Sequence, residues 1–553
     1  MNKQISGVCP PKIDFYIFWP ALIVIVGLLV PICLSPDAAG KVAGDLISVI
    51  TNKLGWAYQL GAFSLFIFMF WLALGRYGKI RLGRLEDKPE YSKFSWIAMM
   101  FCAGMGSSIM NWSFVEPLYF MQGPAMGIEP GSNQAAEWAG MYSMFHWGLI
   151  PYAIYLLPAL PIAYIVYVRR CSLFRISEAC VGILGDKAYG PVGKVIDVLV
   201  ILSILGGTAT TLGLSVPVLS ALFSEAFGLV DSFGLQLVVL VIWTAIFSWS
   251  VYKGLSEGIK ILSQINTMLA LVLLVFVLVT GPTLFILDSA SNSLGLLMGN
   301  FFHMSLWTDP VNKGGYPQAW TTFYWAWWLA YAPMVGLFVA RISKGRTIRE
   351  LILYGITWGS LGSWVFFAVW GNYAINLEIT ESLSLSSILS ESGIPATIVA
   401  TVNSLPFASV FILAFIVLFF VFTATTMDSA AFVLASISSK DMSGDEEPAC
   451  WNRIIWAMIL GGSAIAMMLM GGLKAVQSAT IVLALPMLPL MALLVFSLMR
   501  MLKEDFGSSL EQAHHVMHET KGITQIVQDI PVVGQLEYVK ETAFDPDVAQ
   551  SSV

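Results

Sequence analysis

What most constrains this chain is a recurring feature: runs of about 20 apolar residues with few charges follow one another along most of its 553 residues. Such a run matches the roughly 30 Å hydrocarbon core of a bilayer, which helices can cross because they satisfy their backbone groups internally. The runs fall near 14–34, 55–75, 95–120, 139–168, 195–223, 235–252, 263–287, 318–342, 350–375, 397–437, 453–471 and 475–501. They predict an all-α, polytopic membrane protein with about twelve spanning helices. The tenth run is too long for one straight helix, so a lead-in or re-entrant piece is expected there. The first run lacks a small-residue cleavage site followed by a soluble domain and reads as a span, not a removable signal. Composition agrees, with 57% apolar and 12% charged residues, against about 25% charged in soluble domains.

Orientation follows from the basic residues. Alternate connections carry Arg76, Lys79, Arg81, Arg84, Lys88 and Lys93; then Arg169, Arg170 and Arg175; then Lys253 and Lys260; then Arg341, Lys344, Arg346 and Arg349; then Lys440. The intervening connections hold only Lys41, Lys53, Lys313 and Lys474. The positive-inside rule then places both termini in the cytoplasm, which requires an even number of spans. The segment 289–317 is amphipathic, with Trp307 and Tyr316, and is expected at the outer interface. The tail 502–553 is acidic, contributes to the net charge of -6, and implies no nucleic-acid partner. The six cysteines show no C-x-x-C spacing, so neither a disulfide framework nor a zinc site is expected.

Three segments depart from smooth apolar helix. In the third span, Cys102, Gly104, Met105, Gly106 and Ser108 precede Asn111, Trp112 and Glu116-Pro117. Closely spaced glycines followed by a proline suit a discontinuous helix, which membranes tolerate where backbone lines a cavity. Close packing through small residues explains the spacing equally well. The eighth span opens with seven aromatics between Trp320 and Tyr331. Trp320, Trp327 and Tyr331 are seven and four apart, which puts them on one helical face. A quaternary ammonium has no N–H to donate, but ring faces hold it at roughly 2 kcal/mol or more per desolvated contact. An interfacial aromatic belt is the alternative, yet belts sit at helix ends and this stripe reaches about halfway in. Trp147, Tyr152 and Tyr155 in the fourth span could close the cage. In the tenth span, Phe422, Thr423, Thr425, Thr426 and Asp428 place oxygens in an apolar run, where polar groups need partners. A hard cation such as sodium prefers oxygen ligands. Thr208, Thr210 and Thr211 form a similar cluster in the fifth span. Bonding back to the helix's own carbonyl accounts for any single threonine. His146 reads as a structural histidine, and the Arg341–Glu350 link as mostly a solvated basic loop.

At these residues the sequence resembles the betaine/carnitine/choline transporter family. The resemblance covers nearly all of 14–501 and includes Gly104-Met105-Gly106, Glu116-Pro117, His146-Trp147, Phe323 to Trp328, Ala340-Arg341-Ile342-Ser343, Gly345-Arg346-Thr347 and Thr425 to Ser429. It implies a LeuT-type core of two inverted five-helix repeats, spans 3–7 (95–288) and 8–12 (318–501). Two peripheral helices and a loop (14–94) would precede it, after a cytoplasmic N-terminus (1–13), and the assembly would be a homotrimer in the bacterial inner membrane. Carried over by position, Trp147, Tyr155, Trp320, Trp327, Trp328 and Tyr331 are box or gate candidates. The Gly104–Ser108 stretch and Asn111 face the substrate. Cys102, Met105, Phe422, Thr425 and Thr426 match one sodium position, and Thr208 and Thr211 approximate a second. Departures matter. Ser108 replaces the last glycine of the family's G-x-G-x-G stretch, and Tyr152 stands where glycine-betaine symporters carry Trp. Tyr331 and Thr426 to Ser429 look like the carnitine exchangers, whereas Val335 does not. Asn266 stands near the place of those exchangers' arginine, which favours an external sodium ion. The acidic tail is unlike the basic extension of osmosensing members, so nutrient uptake is the expectation. No enzyme motif such as H-E-x-x-H appears in the spans, and no output domain suited to a receptor is evident. No cofactor is expected.

Overall fold

The computed structural model describes residues 13–84, 86–106, 108–171, 175–253, 256–440, 447–470, 477 and 480–519, with side chains left undescribed at 102, 103, 105, 247, 249–264 and 508–519. Secondary structure is helical, with two isolated β-bridges. The helices in the first half are α1 (Phe15–Leu34), α2 (Pro36–Leu74), α3 (Lys93–Met105), α4 (Ser108–Gln122), α5 (Asn133–His146), α6 (Leu149–Ala163), the short α7 (Ile176–Ala179) and α8 (Val181–Leu184), and α9 (Pro191–Phe227). There follow α10 (Phe233–Lys253), α11 (Ser256–Thr280), α12 (Thr283–Leu306), α13 (Thr322–Ile342), α14 (Ile348–Phe366), α15 (Asn372–Ile379), α16 (Leu385–Asn403), α17 (Ala408–Ile437), α18 (Cys450–Met470) and α19 (Met487–Glu519).

Among the described residues, ten helical segments are long and apolar enough to cross a membrane, or eleven if α11 and α12, bent by 110°, form one span. The protein is therefore a multi-pass membrane protein. The count falls below twelve partly because the third apolar run is broken. Gly106 takes φ +44 between α3 and α4, a left-handed conformation that costs other residues about 1–2 kcal/mol, and neither half is a full span. The long tenth run is also divided: α16 ends at Asn403, and α17 starts after Phe407 at φ +62.

Two spans show burial and apolarity opposed. The spanning window of α1 is 22% buried and that of the aromatic helix opening at Pro317 is 94% buried. A purely apolar helix gains nothing by leaving lipid, whereas a helix with polar ring atoms must find partners among other helices. Helix α13 accordingly packs between α6 and α9, and α17 packs on α9. At the basic face the loops after α2 and α13 pair through Leu82 N to Arg346 O at 2.8 Å and Gly345 N to Leu82 O at 2.7 Å. Thr347 and Glu350 then form a reciprocal capping box that starts α14. Arg346 departs from the solvated-loop expectation. It is buried, donates to the Tyr91 carbonyl at 2.7 Å and lies 4.6 Å over Trp96.

Candidate functional site

Where the α3–α4 break meets α6, α13 and α17, Gly104, Gly106, Ser108, Tyr155, Trp327, Trp328, Tyr331 and Thr426 line a chamber of about 10 Å³. That is room for about one water molecule. Local sequence explains the convergence. A Cβ at Gly106 would lie 2.5 Å from Thr426 Oγ1, so only glycine lets the broken helix approach α17 this closely. On α13, Trp327 and Trp328 stack at 5.2 Å with 8° between planes. Tyr155 meets Trp328 edge-on at 5.7 Å.

The rings are fixed by bonds to other helices. Trp328 Nε1 donates to the His146 carbonyl at 2.9 Å, and Trp327 Nε1 to the Gly207 carbonyl at 3.4 Å. The Tyr331 hydroxyl bonds Thr211, whose Oγ1 lies 3.1 Å from Ser108 Oγ. A chain of hydroxyls thus links α13, α9 and α4. Gly207 permits this packing, because a Cβ there would lie 2.8 Å from the Tyr331 ring. Sequence reading passed over Gly207, although the Gly206-Gly207 pair beside Thr208 was a visible signal. The Tyr155 hydroxyl is buried without a partner.

Three expected substrate residues lie elsewhere. Trp320 packs against Phe120 at 5.0 Å, Tyr119 at 5.4 Å and Trp112 at 6.1 Å, outside the chamber. The turn Pro317–Thr321 is π-helical. It breaks the 3.6-residue periodicity, and seven residues also rise about 10 Å along a helix. Trp147 sits one layer behind the wall, edge-on to Trp328 at 4.8 Å. It occupies the joint where α5 ends and α6 begins, so its register with Tyr155 is not that of one continuous helix. Asn111 donates to Ser215 on α9 at 3.1 Å and does not line the chamber.

The candidate ion ligands divide similarly. Thr425 and Thr426 both donate to the Phe422 carbonyl at 2.9 Å. Their oxygens keep lone pairs, and Thr426 faces the chamber. This group of hydroxyl and carbonyl oxygens suits a hard monovalent cation. The side chains of Cys102 and Met105 lie outside the described residues. Thr208 donates back to the Ile204 and Leu205 carbonyls at 2.7 and 3.2 Å, one turn from Thr211 and away from the chamber wall.

Spacing along the chain assigns Glu116 no role. It is fully buried and accepts from Trp147 Nε1 at 2.7 Å and Tyr324 O–H at 2.6 Å. An acid in an apolar run is the signal that could have singled it out.

Comparison with known proteins adds two findings. The family model described as betaine/carnitine/choline family transporter matches residues 16–507. A solved structure of a Na⁺-coupled sialic acid symporter, in a substrate-bound outward-open state, is similar at TM-score 0.43 and 13% identity, over 88% of this chain and 96% of that one.

Proposed function

The chain belongs to the betaine/carnitine/choline family of transporters, and from that premise we propose that it takes up a quaternary-ammonium zwitterion of the glycine betaine or carnitine type by sodium symport. The observation that carries this reading is the chamber: three rings of α13 and Tyr155 surround it, and the Tyr155 hydroxyl is a buried donor without a partner. Ring faces suit a headgroup that cannot donate hydrogen bonds. The carboxylate is met by the Tyr155 hydroxyl and the start of α4 at Ser108, where unsatisfied N–H groups favour an anion.

The contracted chamber is smaller than a trimethylammonium group, so loading moves the side formed by Gly104, Gly106 and Thr426 away from the rings, as alternating access requires. Sodium, as co-substrate, is met by the Phe422 carbonyl and the Thr425 and Thr426 hydroxyls. Exchange without sodium, in the manner of the carnitine/γ-butyrobetaine exchangers, is the second reading, favoured by the carnitine-exchanger character of Tyr331 and Thr426 to Ser429. Against it, Asn266 is neutral and spends its amide on the Leu418 carbonyl of α17 at 3.3 Å. We place the protein in a bacterial inner membrane as a homotrimer, with the basic face and both termini cytoplasmic. Uptake of labelled glycine betaine, carnitine and γ-butyrobetaine into proteoliposomes tests the proposal. Accumulation driven by an inward sodium gradient is expected. Equal uptake without sodium, dependent on substrate preloaded inside, identifies an exchanger, and no uptake of any of the three overturns the substrate class.

A further inference from the structure

Behind the chamber wall lies a buried acid to which the transport reading assigns no task. Glu116 on α4 and His146 at the end of α5 are both fully buried. Glu116 Oε2 accepts two hydrogen bonds, at 2.7 and 2.6 Å, and donors aimed at one carboxylate oxygen favour its charged form. Its Oε1 faces His146 Nδ1 at 3.6 Å, and neither atom has a hydrogen-bond partner. The other ring nitrogen of His146 meets the Thr321 hydroxyl at 3.2 Å. An acid inside a membrane protein is costly to bury and points to function.

What this unit supports is one ring of the chamber. Trp147 meets Trp328 edge-on at 4.8 Å, and Tyr324 stacks on it at 5.7 Å. The indole N–H of Trp328 itself donates to the His146 carbonyl at 2.9 Å. Two rings backing Trp328 therefore hydrogen-bond a single carboxylate oxygen, and its N–H is held by the residue that faces the other oxygen.

We propose that Glu116 is the positioning residue of the cation site: it fixes Trp147 and Tyr324 behind Trp328, and, kept ionised by those two donors, it makes the aromatic wall prefer a cationic headgroup over a neutral one of equal shape. A cation is drawn to the electron-rich face of a ring. The ring that donates to the carboxylate, Trp147, is not itself in the wall but meets Trp328 edge-on, so the charge reaches the chamber through that contact and through a low-dielectric interior that screens it less than water does. The inference rests on the proposed quaternary-ammonium substrate.

The test uses the full-length purified protein. Glycine betaine, carnitine and γ-butyrobetaine are each titrated beside the analogue in which carbon replaces the quaternary nitrogen. Failure of the unmodified protein to bind any of the three ammonium compounds defeats the substrate reading itself. Given such binding, Glu116→Gln, which keeps the shape and an acceptor oxygen, is expected to weaken the tightest ammonium ligand about tenfold and its carbon analogue less than about twofold. Trp147→Phe keeps a ring against Trp328 but cuts its link to the carboxylate. It is expected to show the same selective loss, and it supplies the measurement if the Gln variant does not fold. Equal weakening of both members of a pair, or an unchanged preference, overturns the proposal.

Discussion

Helices α13 and α17 both contribute to the chamber, yet they satisfy their polar atoms in opposite ways. On α13, Trp327, Trp328, Tyr331 and Tyr324 bond to groups on α9, on α4 and at the end of α5. On α17, Thr423, Thr425, Thr426 and Ser429 all donate to carbonyls of their own helix. A ring bonded to its neighbours can move only with them, so the aromatic wall is a scaffold. A hydroxyl bonded within its helix does not tie that helix to another, and its lone pairs stay free for a new partner. One wall is tied to three other helices, and the hydroxyls named on the other bond only within their own.

The sharpest way to break this comparison is Trp327→Leu. It removes a chamber ring and its cross-helix bond, and uptake is expected to fall to background while elution volume in detergent stays unchanged. Retained affinity in a binding assay would show that the scaffold does not hold the headgroup. Next is Gly106→Ala, which forces a side chain into a left-handed conformation costing about 1–2 kcal/mol and against Thr426. Uptake is expected to drop at least about tenfold, with part returning, at saturating sodium, in the Gly106→Ala, Thr426→Ala double variant. No recovery would mean that contact with α17 is not the cause.

Thr426→Val probes the α17 wall. The sodium concentration for half-maximal uptake should rise about tenfold, with substrate affinity at saturating sodium nearly unchanged. Sodium dependence like that of the unmodified protein would remove α17 from the ion's route. Thr211→Val cuts the hydroxyl chain from Tyr331 to Ser108, at about 1 kcal/mol, and should weaken substrate binding about fivefold.

The smallest effect lies away from both walls and serves as a control. Burial pushes the Glu178 carboxyl up to about 7, against the pull of Arg175 and with Asp197 adding to the rise. The folded state then binds more protons than the unfolded one between the ordinary carboxylate range and pH 7, so stability declines as pH rises through that window. Glu178→Gln should flatten this decline in melting temperature between pH 5 and pH 8 without changing sodium dependence.

Legibility in the sequence followed the same division. Spans were readable because the bilayer imposes a length on every apolar run. The rings of Trp327 and Tyr331, and the glycines beside Ser108, were readable because local spacing within one helix brings them together. Trp320 lies outside the chamber because a π-helical turn intervenes, and Trp147 lies behind its wall because a helix joint separates it from Tyr155; both were box or gate candidates, and neither position decides between the two. Neither break leaves a mark in hydrophobic periodicity. Glu116 and Gly207 take their roles from partners on other helices, such as Tyr324 and Trp327, and spacing along one helix cannot report those pairings. The expectation of inverted repeats came only with the family resemblance.

The chamber's size has an electrical meaning. A void that admits a single water cannot hold the continuous column of molecules along which ions or protons would slip. Closed to this size, the chamber is a break in any file of water, and so acts as an insulating gap rather than a wire.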